Sequence, residues 1–253
     1  MNNCFENLNR VEFVVTYDCT GKCKHCSEGE HPYTGVHLDE NIADVLYKIK
    51  EEYNINSVMT FGGEPLLYPD TVCAIHTAAT ELKIEKRQLI TNGFFSKDTD
   101  VIKSVAQKLS KCGVNDILIS VDAFHQETIP LDIVKKFVLE MKKYDLNIRT
   151  SPAWIVSRGD NNPYNIITQN IIEEFKKCGI KEGTGNMVFP EGNARVYLKE
   201  YFDENKEYIN PYEENPEDLR SVSIEPDRTI FGESVYESDI IDILENYKKQ
   251  KKM

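Results

Sequence analysis

"VEFVVTYDCTGKCKHCSEG", residues 11–29, joins two signals in one stretch. Its first part, Val11 to Asp18, is a short apolar, β-branched run that reads as a strand. Its second part carries Cys19, Cys23 and Cys26, three of the chain's seven cysteines, spaced C-x3-C-x2-C. A structural zinc site usually takes four ligands. Three thiolates leave one position to fill, and His25 and His31 are the nearest candidates. Iron–sulfur clusters are also held by cysteine thiolates. A four-iron cluster on only three of them keeps one iron open to a small molecule.

Outward from this stretch the chain alternates. "LDENIADVLYKIKEEYNI" has apolar residues at helical spacing, with Asp39 placed to cap it. "SVMTF" is a strand, and "YPDTVCAIHTAATELKI" a helix with Pro69 in its first turn. The strands "RQLIT", "DILISVDAF", "LNIRTS" and "NMVFP" then alternate with helices over "DTDVIKSVAQKLSKCG", "PLDIVKKFVLEMKKYD" and "PYNIITQNIIEEFKKCG". Two helices end in "KCG", where glycine serves as the C-cap. Regular alternation predicts a parallel sheet with helices outside. About six β/α units predict an α/β fold, a partial (β/α)6 TIM-like barrel, with an open doubly wound sheet as the alternative. After Pro190 the pattern changes. An acidic, aliphatic-poor excursion precedes "SVSIEP" and "RTIFGESVY", a hairpin candidate around Asp227, and a terminal helix with Ser238 as cap and a basic end. No low-complexity linker intervenes. The expected division is a core over 1–195 and a short α+β, cysteine-free C-terminal extension over 196–253.

Composition bounds the function. A 253-residue chain that is 40% hydrophobic can bury a substantial core. No apolar run approaches the roughly 18–20 residues of a membrane span, and the N-terminus lacks a signal-peptide hydrophobic region. Free cysteines fit a reducing, cytoplasmic setting. The formal net charge of −12 argues against non-specific nucleic-acid binding, which rests on basic residues.

C-x3-C-x2-C in the loop after the first strand of a (β/α) array resembles the signature of the radical S-adenosylmethionine (SAM) superfamily. The resemblance implies one [4Fe–4S] cluster on Cys19, Cys23 and Cys26, with SAM chelating the open iron. Electron transfer then cleaves SAM to a 5′-deoxyadenosyl radical that removes a hydrogen atom from a substrate. A second element agrees: Gly62-Gly63-Glu64-Pro65 follows the second strand, where family members line the methionine end of SAM. Glycines there let backbone approach a ligand ammonium, and Glu64 adds an acceptor. By the same resemblance His25 stands near the adenine, Asn92, Ser120 and Asp122 lie at later strand ends with a polar group for the ribose, and Arg149 reaches the SAM carboxylate. "FPEGNAR" resembles the P-x-G-x-A element of peptide-modifying members. The likeness runs from about Val11 to Arg195. The extension lacks the cysteines that hold auxiliary clusters in many such members.

The resemblance implies a radical SAM enzyme fed by a low-potential donor such as a flavodoxin or ferredoxin. It leans toward a ribosomally made precursor peptide as substrate. Small metabolites or nucleobases, activation of a glycyl-radical partner, a redox-sensing module, and a non-catalytic zinc or iron–sulfur protein are the alternatives. His125, just past a strand end, is either a proton-transferring or substrate-contacting group or a loop histidine bonded to backbone. Cys112 and Cys178 read as small buried hydrophobes, Cys73 as a helical residue and Cys4 as part of a frayed terminus. His31 and His37 read as solvated, and Trp154 as core.

Overall fold

The first strand, β1 (Arg10–Val14), alternates by the pleat: Val11 and Phe13 are fully buried while Arg10 and Glu12 are only half-buried. In this computed structural model, which describes residues 3–29, 34–203, 205–208, 210 and 212–247, β1 lies inside a six-stranded sheet. It is followed by α1 (Asp44–Glu52), β2 (Ser57–Phe61), α2 (Pro69–Glu81), β3 (Lys86–Thr91), α3 (Thr99–Cys112) and β4 (Asp116–Ile119). Next come the short α4 (Ala123–Gln126), α5 (Leu131–Met141), β5 (Asn147–Thr150), β6 (Ala153–Trp154), α6 (Pro163–Lys177), β7 (Asn186–Met187) and α7 (Gly192–Tyr197). The chain closes with β8 (Ser221–Ile224), β9 (Thr229–Ile230), β10 (Glu233–Ser234) and α8 (Ile240–Asn246).

The sheet order is β5-β4-β3-β2-β1-β8, and every pairing is parallel. The expected partial barrel is therefore present. Beyond β5 the sheet continues through a single parallel bridge, Arg149 to Lys181, and then the β6–β7 pair. Asp39 caps the turn that leads into α1 and Pro69 opens α2. Gly113 and Gly179 follow α3 and α6 with φ of +89° and +74°, the left-handed geometry expected after "KCG".

Four local expectations differ. "DILISVDAF" is not one strand: β4 stops at Ile119, and Asp122 instead caps α4 by accepting from the amides of Phe124 and His125. An aspartate side chain that reaches its own downstream amides outcompetes the ladder. "SVSIEP" pairs in parallel with β1, so residues from the expected extension form the edge strand of the core sheet; the antiparallel pair is β9–β10. Asp239, not Ser238, caps α8, and the basic end expected beyond Tyr247 lies outside the described residues. Cys4 is not frayed: its carbonyl accepts from Leu219, and Phe5 beside it is fully buried.

Helices cover one face of the sheet. One apolar cluster joins β1 and β2 to α1, α2 and α8; another joins β3 and β4 to α3, α5 and α6. The interior face carries a polar layer near the strand starts. Arg10 pairs with Glu12 at 2.5 Å and donates to Gln88 at 3.2 Å, and Gln88 donates to Asp116 at 2.6 Å. The strand ends, with the cysteine loop after β1, make the opposite rim. Among the described residues no helix is long and apolar enough to cross a membrane.

Candidate active site

The loop after β1 is gripped from several elements. Gly63 donates its amide to Thr16 carbonyl at 2.7 Å, and Glu64 donates its own to Asp18 carbonyl at 2.7 Å. A Cβ on Gly63 would sit 2.2 Å from Asp18 carbonyl oxygen, and one on Gly62, with φ of +137°, 2.3 Å from that of Thr16. The glycine pair thus lets the β2 loop lie directly against the backbone that leads into Cys19. Thr128 Oγ1 accepts from Lys22 amide at 3.0 Å, and Lys24 pairs with Glu127 at 2.9 Å. From the far end of the core, Asn193 donates its amide to Cys26 carbonyl at 2.9 Å and its Nδ2 to Cys23 carbonyl at 3.1 Å.

Cys19, Cys23 and Cys26 are all free thiols. Cys19 is exposed, Cys26 half-buried, and Cys23 buried among Phe124, Ala153, Ile155, Ala194 and Leu198. Desolvation raises all three, Cys19 to about 11, and negative charge on neighbouring sulfurs raises Cys19 and Cys23 further. Such thiols hold their protons at neutral pH until a cation displaces them.

Glu64 is fully buried. Its Oε1 accepts from Leu66 amide (2.9 Å) and Thr91 Oγ1 (2.7 Å), and its Oε2 from Asn92 amide (2.8 Å). Burial pushes its carboxyl up to about 7 against these donors. It ties the β2 loop to the end of β3, and Pro65 starts the short turn that it caps. Asn92 sits beside the cluster loop: its Nδ2 donates to Cys19 Sγ at 3.6 Å.

Asp122 is also fully buried. Its Oδ1 accepts from the amides of Phe124 and His125, and its Oδ2 from His125 Nδ1 (2.8 Å) and Ala153 amide (2.9 Å). Those four bonds use its acceptor capacity, so it orients His125 and leaves nothing for a ribose. Although burial pushes it up, the imidazole of His125 holds its carboxyl below the usual range. Arg149 is committed as well. Its guanidinium forks onto Asp116, Nε to Oδ1 at 3.1 Å and Nη2 to Oδ2 at 3.0 Å. This bidentate pair lies in the polar layer, so the expected contact with a SAM carboxylate is replaced by an internal one.

Ser120 follows β4, and among the described residues its hydroxyl has no protein partner, which leaves it free for a ligand. The His25 ring lies 4.9 Å from that of Phe124 and 4.8 Å from that of His125. Burial lowers His25 to about 4, and its Nδ1 is shut from solvent with no hydrogen-bond partner. Gln126 Nε2 is likewise buried and unpaired, while its Oε1 accepts from Asp122 amide. Ligand atoms of Cys23, His25 and His125 lie within 4.8 Å of one another. His31, the other histidine candidate for zinc, lies outside the described residues. His37 is half-buried and stacks on Tyr68, and Trp154 is core, as expected. Three free thiols on one loop beside orphaned polar atoms fit a metal cluster with a polar small molecule on it.

The sequence profile of the radical SAM superfamily matches residues 13–145. The chain belongs to this superfamily. The cofactors of the superfamily are a [4Fe–4S] cluster and SAM, and the cysteine loop carries the residues that would hold them. A probable GTP 3′,8-cyclase of Saccharolobus solfataricus is 29% identical over 211 residues, covering 80% of this chain and 65% of that protein. A GTP 3′,8-cyclase of Alkaliphilus metalliredigens is 27% identical over 132 residues, 50% of this chain and 39% of that one. The chain thus spans about 65% of the length of the first of these relatives, and less of the second. A solved structure of native anSMEcpe with bound AdoMet superposes with a TM-score of 0.52 at 18% identity, covering 72% of this chain and 52% of that one. At that identity the likeness speaks to the radical SAM fold alone.

Asn193 and Gln126 were not singled out in the sequence. Asn193 stands within "FPEGNAR", but its partners are about 170 residues away. Gln126 has no sequence signal; only its buried, unpaired amide reveals it.

Proposed function

We propose that this enzyme cleaves SAM reductively at a single [4Fe–4S] cluster on Cys19, Cys23 and Cys26 and abstracts a hydrogen atom from a peptide substrate. When bound there, the cluster and SAM supply a 5′-deoxyadenosyl radical. The chain's own residues do the rest. The glycine pair and Asn193 hold the thiol loop in shape. Ser120 Oγ, His25 Nδ1 and Gln126 Nε2 offer hydrogen bonds to a nucleoside. Asp122 fixes the His125 ring by accepting from Nδ1, which leaves Nε2 as the nitrogen for a proton-transferring or substrate-contacting role. A low-potential flavodoxin or ferredoxin would provide the electron, in keeping with free thiols in a reducing compartment.

The observation that carries the chemistry is the presence of three free thiols on one loop that Gly63, Glu64 and Asn193 clamp through its backbone. The peptide reading draws on charge and shape. The chain is strongly acidic, and a cleft of about 240 Å³ lined by Met187, Phe189, Tyr201, Phe202, Tyr208 and one cation, Lys206, opens beside β7. Aromatic clefts suit side chains of an extended peptide. The names of the relatives favour a second reading, a nucleotide substrate. Against it, Arg10 and Arg149 in the barrel are each paired with a carboxylate; in its favour, Lys206 at the aromatic cleft supplies a cation.

The test is anaerobic reconstitution with iron and sulfide, reduction, addition of SAM, and mass spectrometry for 5′-deoxyadenosine. The native protein should form it, and the Cys19, Cys23, Cys26→Ala triple variant should not. One zinc per chain in place of about four irons would overturn the reading. Acceleration by GTP would move the substrate to the second reading.

A further inference from the structure

The three sulfurs are not equivalent. Cys26 accepts from the backbone of Glu28 and Gly29, close in sequence. Cys23 Sγ, among the described residues, receives no N–H; it is buried beside Phe124 and Ala153, with nitrogens of His25 and His125 within 4.8 Å. Cys19 Sγ accepts from Gly21 amide at 3.4 Å and from Asn92 Nδ2 at 3.6 Å. Asn92 is thus the side-chain donor that a remote strand end brings to a cysteine sulfur.

The orientation of that amide is determined by its surroundings. Asn92 is 4% exposed, and its Oδ1 accepts from Phe94 amide at 2.8 Å in a turn that closes β3. Its own backbone amide is held by Glu64. Flipping the side chain would set Nδ2 against Phe94 N–H, so Nδ2 must face Cys19 and Thr20. An N–H aimed at a cluster thiolate draws density from sulfur and favours the more negative, reduced cluster.

We propose that Asn92 is a positioning residue that raises the reduction potential of the cluster by donating to Cys19 Sγ. The proposal rests on the cluster being held by Cys19, Cys23 and Cys26. The step concerned is transfer of one electron from a low-potential donor to the cluster; the donor is oxidised by one electron, and no bond breaks.

The experiment is an EPR-monitored redox titration of reconstituted native, Asn92→Asp and Asn92→Ala proteins, with dithionite as reductant and no SAM. Asn92→Asp keeps the acceptor for Phe94 amide, loses the donor and adds a charge. Asn92→Ala loses the donor without adding charge. Both should have a lower potential, with a fall of at least tenfold in the reduction equilibrium for Asn92→Asp, about 59 mV for one electron. Iron content and EPR line shape report the cluster independently of its potential. A potential unchanged in either iron-loaded variant overturns the proposal. Failure of both variants to retain iron also overturns it, and makes Asn92 a brace of the loop only. A native protein that takes up no iron overturns the cluster assignment itself.

Discussion

Asn193 holds the cysteine loop at two carbonyls, Cys23 through its side chain and Cys26 through its backbone, although it lies about 170 residues away in sequence. Gly192 makes that contact possible: its φ is +50°, and an added Cβ would lie 2.2 Å from Ser27 carbonyl oxygen. Asn193→Ala should weaken the loop by about 1 kcal/mol and reduce iron retained after desalting. Gly192→Ala should do more, because left-handed strain of roughly 1–3 kcal/mol adds to the clash. Iron per chain, read beside an unchanged far-ultraviolet dichroism spectrum, checks both. Native iron content in Gly192→Ala would mean that the contact is incidental.

Asp122 and His125 form a unit with separable consequences. Replacing Asp122 with Asn removes one acceptor oxygen from a buried group that serves four donors, at a cost of about 3 kcal/mol. A urea titration should show it. Replacing His125 with Ala removes the imidazole beside Cys23 together with one of the four donors to Asp122. With substrate present, product should fall while 5′-deoxyadenosine still forms. Product formation at the native rate would remove His125 from the mechanism.

What could be read from the chain divides along physical lines. Caps, periodicity and the C-x3-C-x2-C spacing are local signals, and Asp39, Pro69, Gly113 and the cysteines stand where those signals put them. Partner choice is non-local. Whether Arg149 faces a ligand or Asp116 depends on the β4–β5 register, which pairs Leu118 with Arg149. Whether Asp122 lies on a strand or caps a helix depends on where β4 stops. Parallel pairing of β8 with β1 unites residues about 210 positions apart, which no window of sequence reports. The motif positions were visible, but not that Glu64, Asn92 and Asp122 turn their side chains to the protein.

Glu64 supplies a stability prediction with a definite sign. Its carboxyl is raised from 4.5 to about 7 by burial. The folded state therefore holds the proton more tightly, and the associated stability is present below 4.5 and lost as pH rises through about 7. Glu64→Gln cannot titrate and leaves Asn92 amide facing an NH2 group, a cost of roughly 1–3 kcal/mol. The variant should be less stable than native in acid, and the gap should narrow as pH rises through that window. Urea midpoints across the window decide it; a constant gap would mean Glu64 ionises normally in the fold.

His76 works in the opposite direction. It is fully buried between β2 and α2, with Nε2 at 2.9 Å from Thr60 Oγ1 and Nδ1 unpaired. Burial, then the charge of Arg87, lowers it from 6.5 to about 3. The unfolded chain takes up the proton first, so this stability is present above 6.5 and lost as pH falls toward about 3. His76→Gln keeps a partner for Thr60 and removes the titration. Native stability should fall relative to the variant by up to about 1.4 kcal/mol per pH unit inside that window. Subtracting the variant's curve cancels Glu64, which both proteins share. Chemical denaturation at about pH 7.5 and about pH 5 tests the slope; parallel curves would show that His76 takes up its proton in the folded core without penalty.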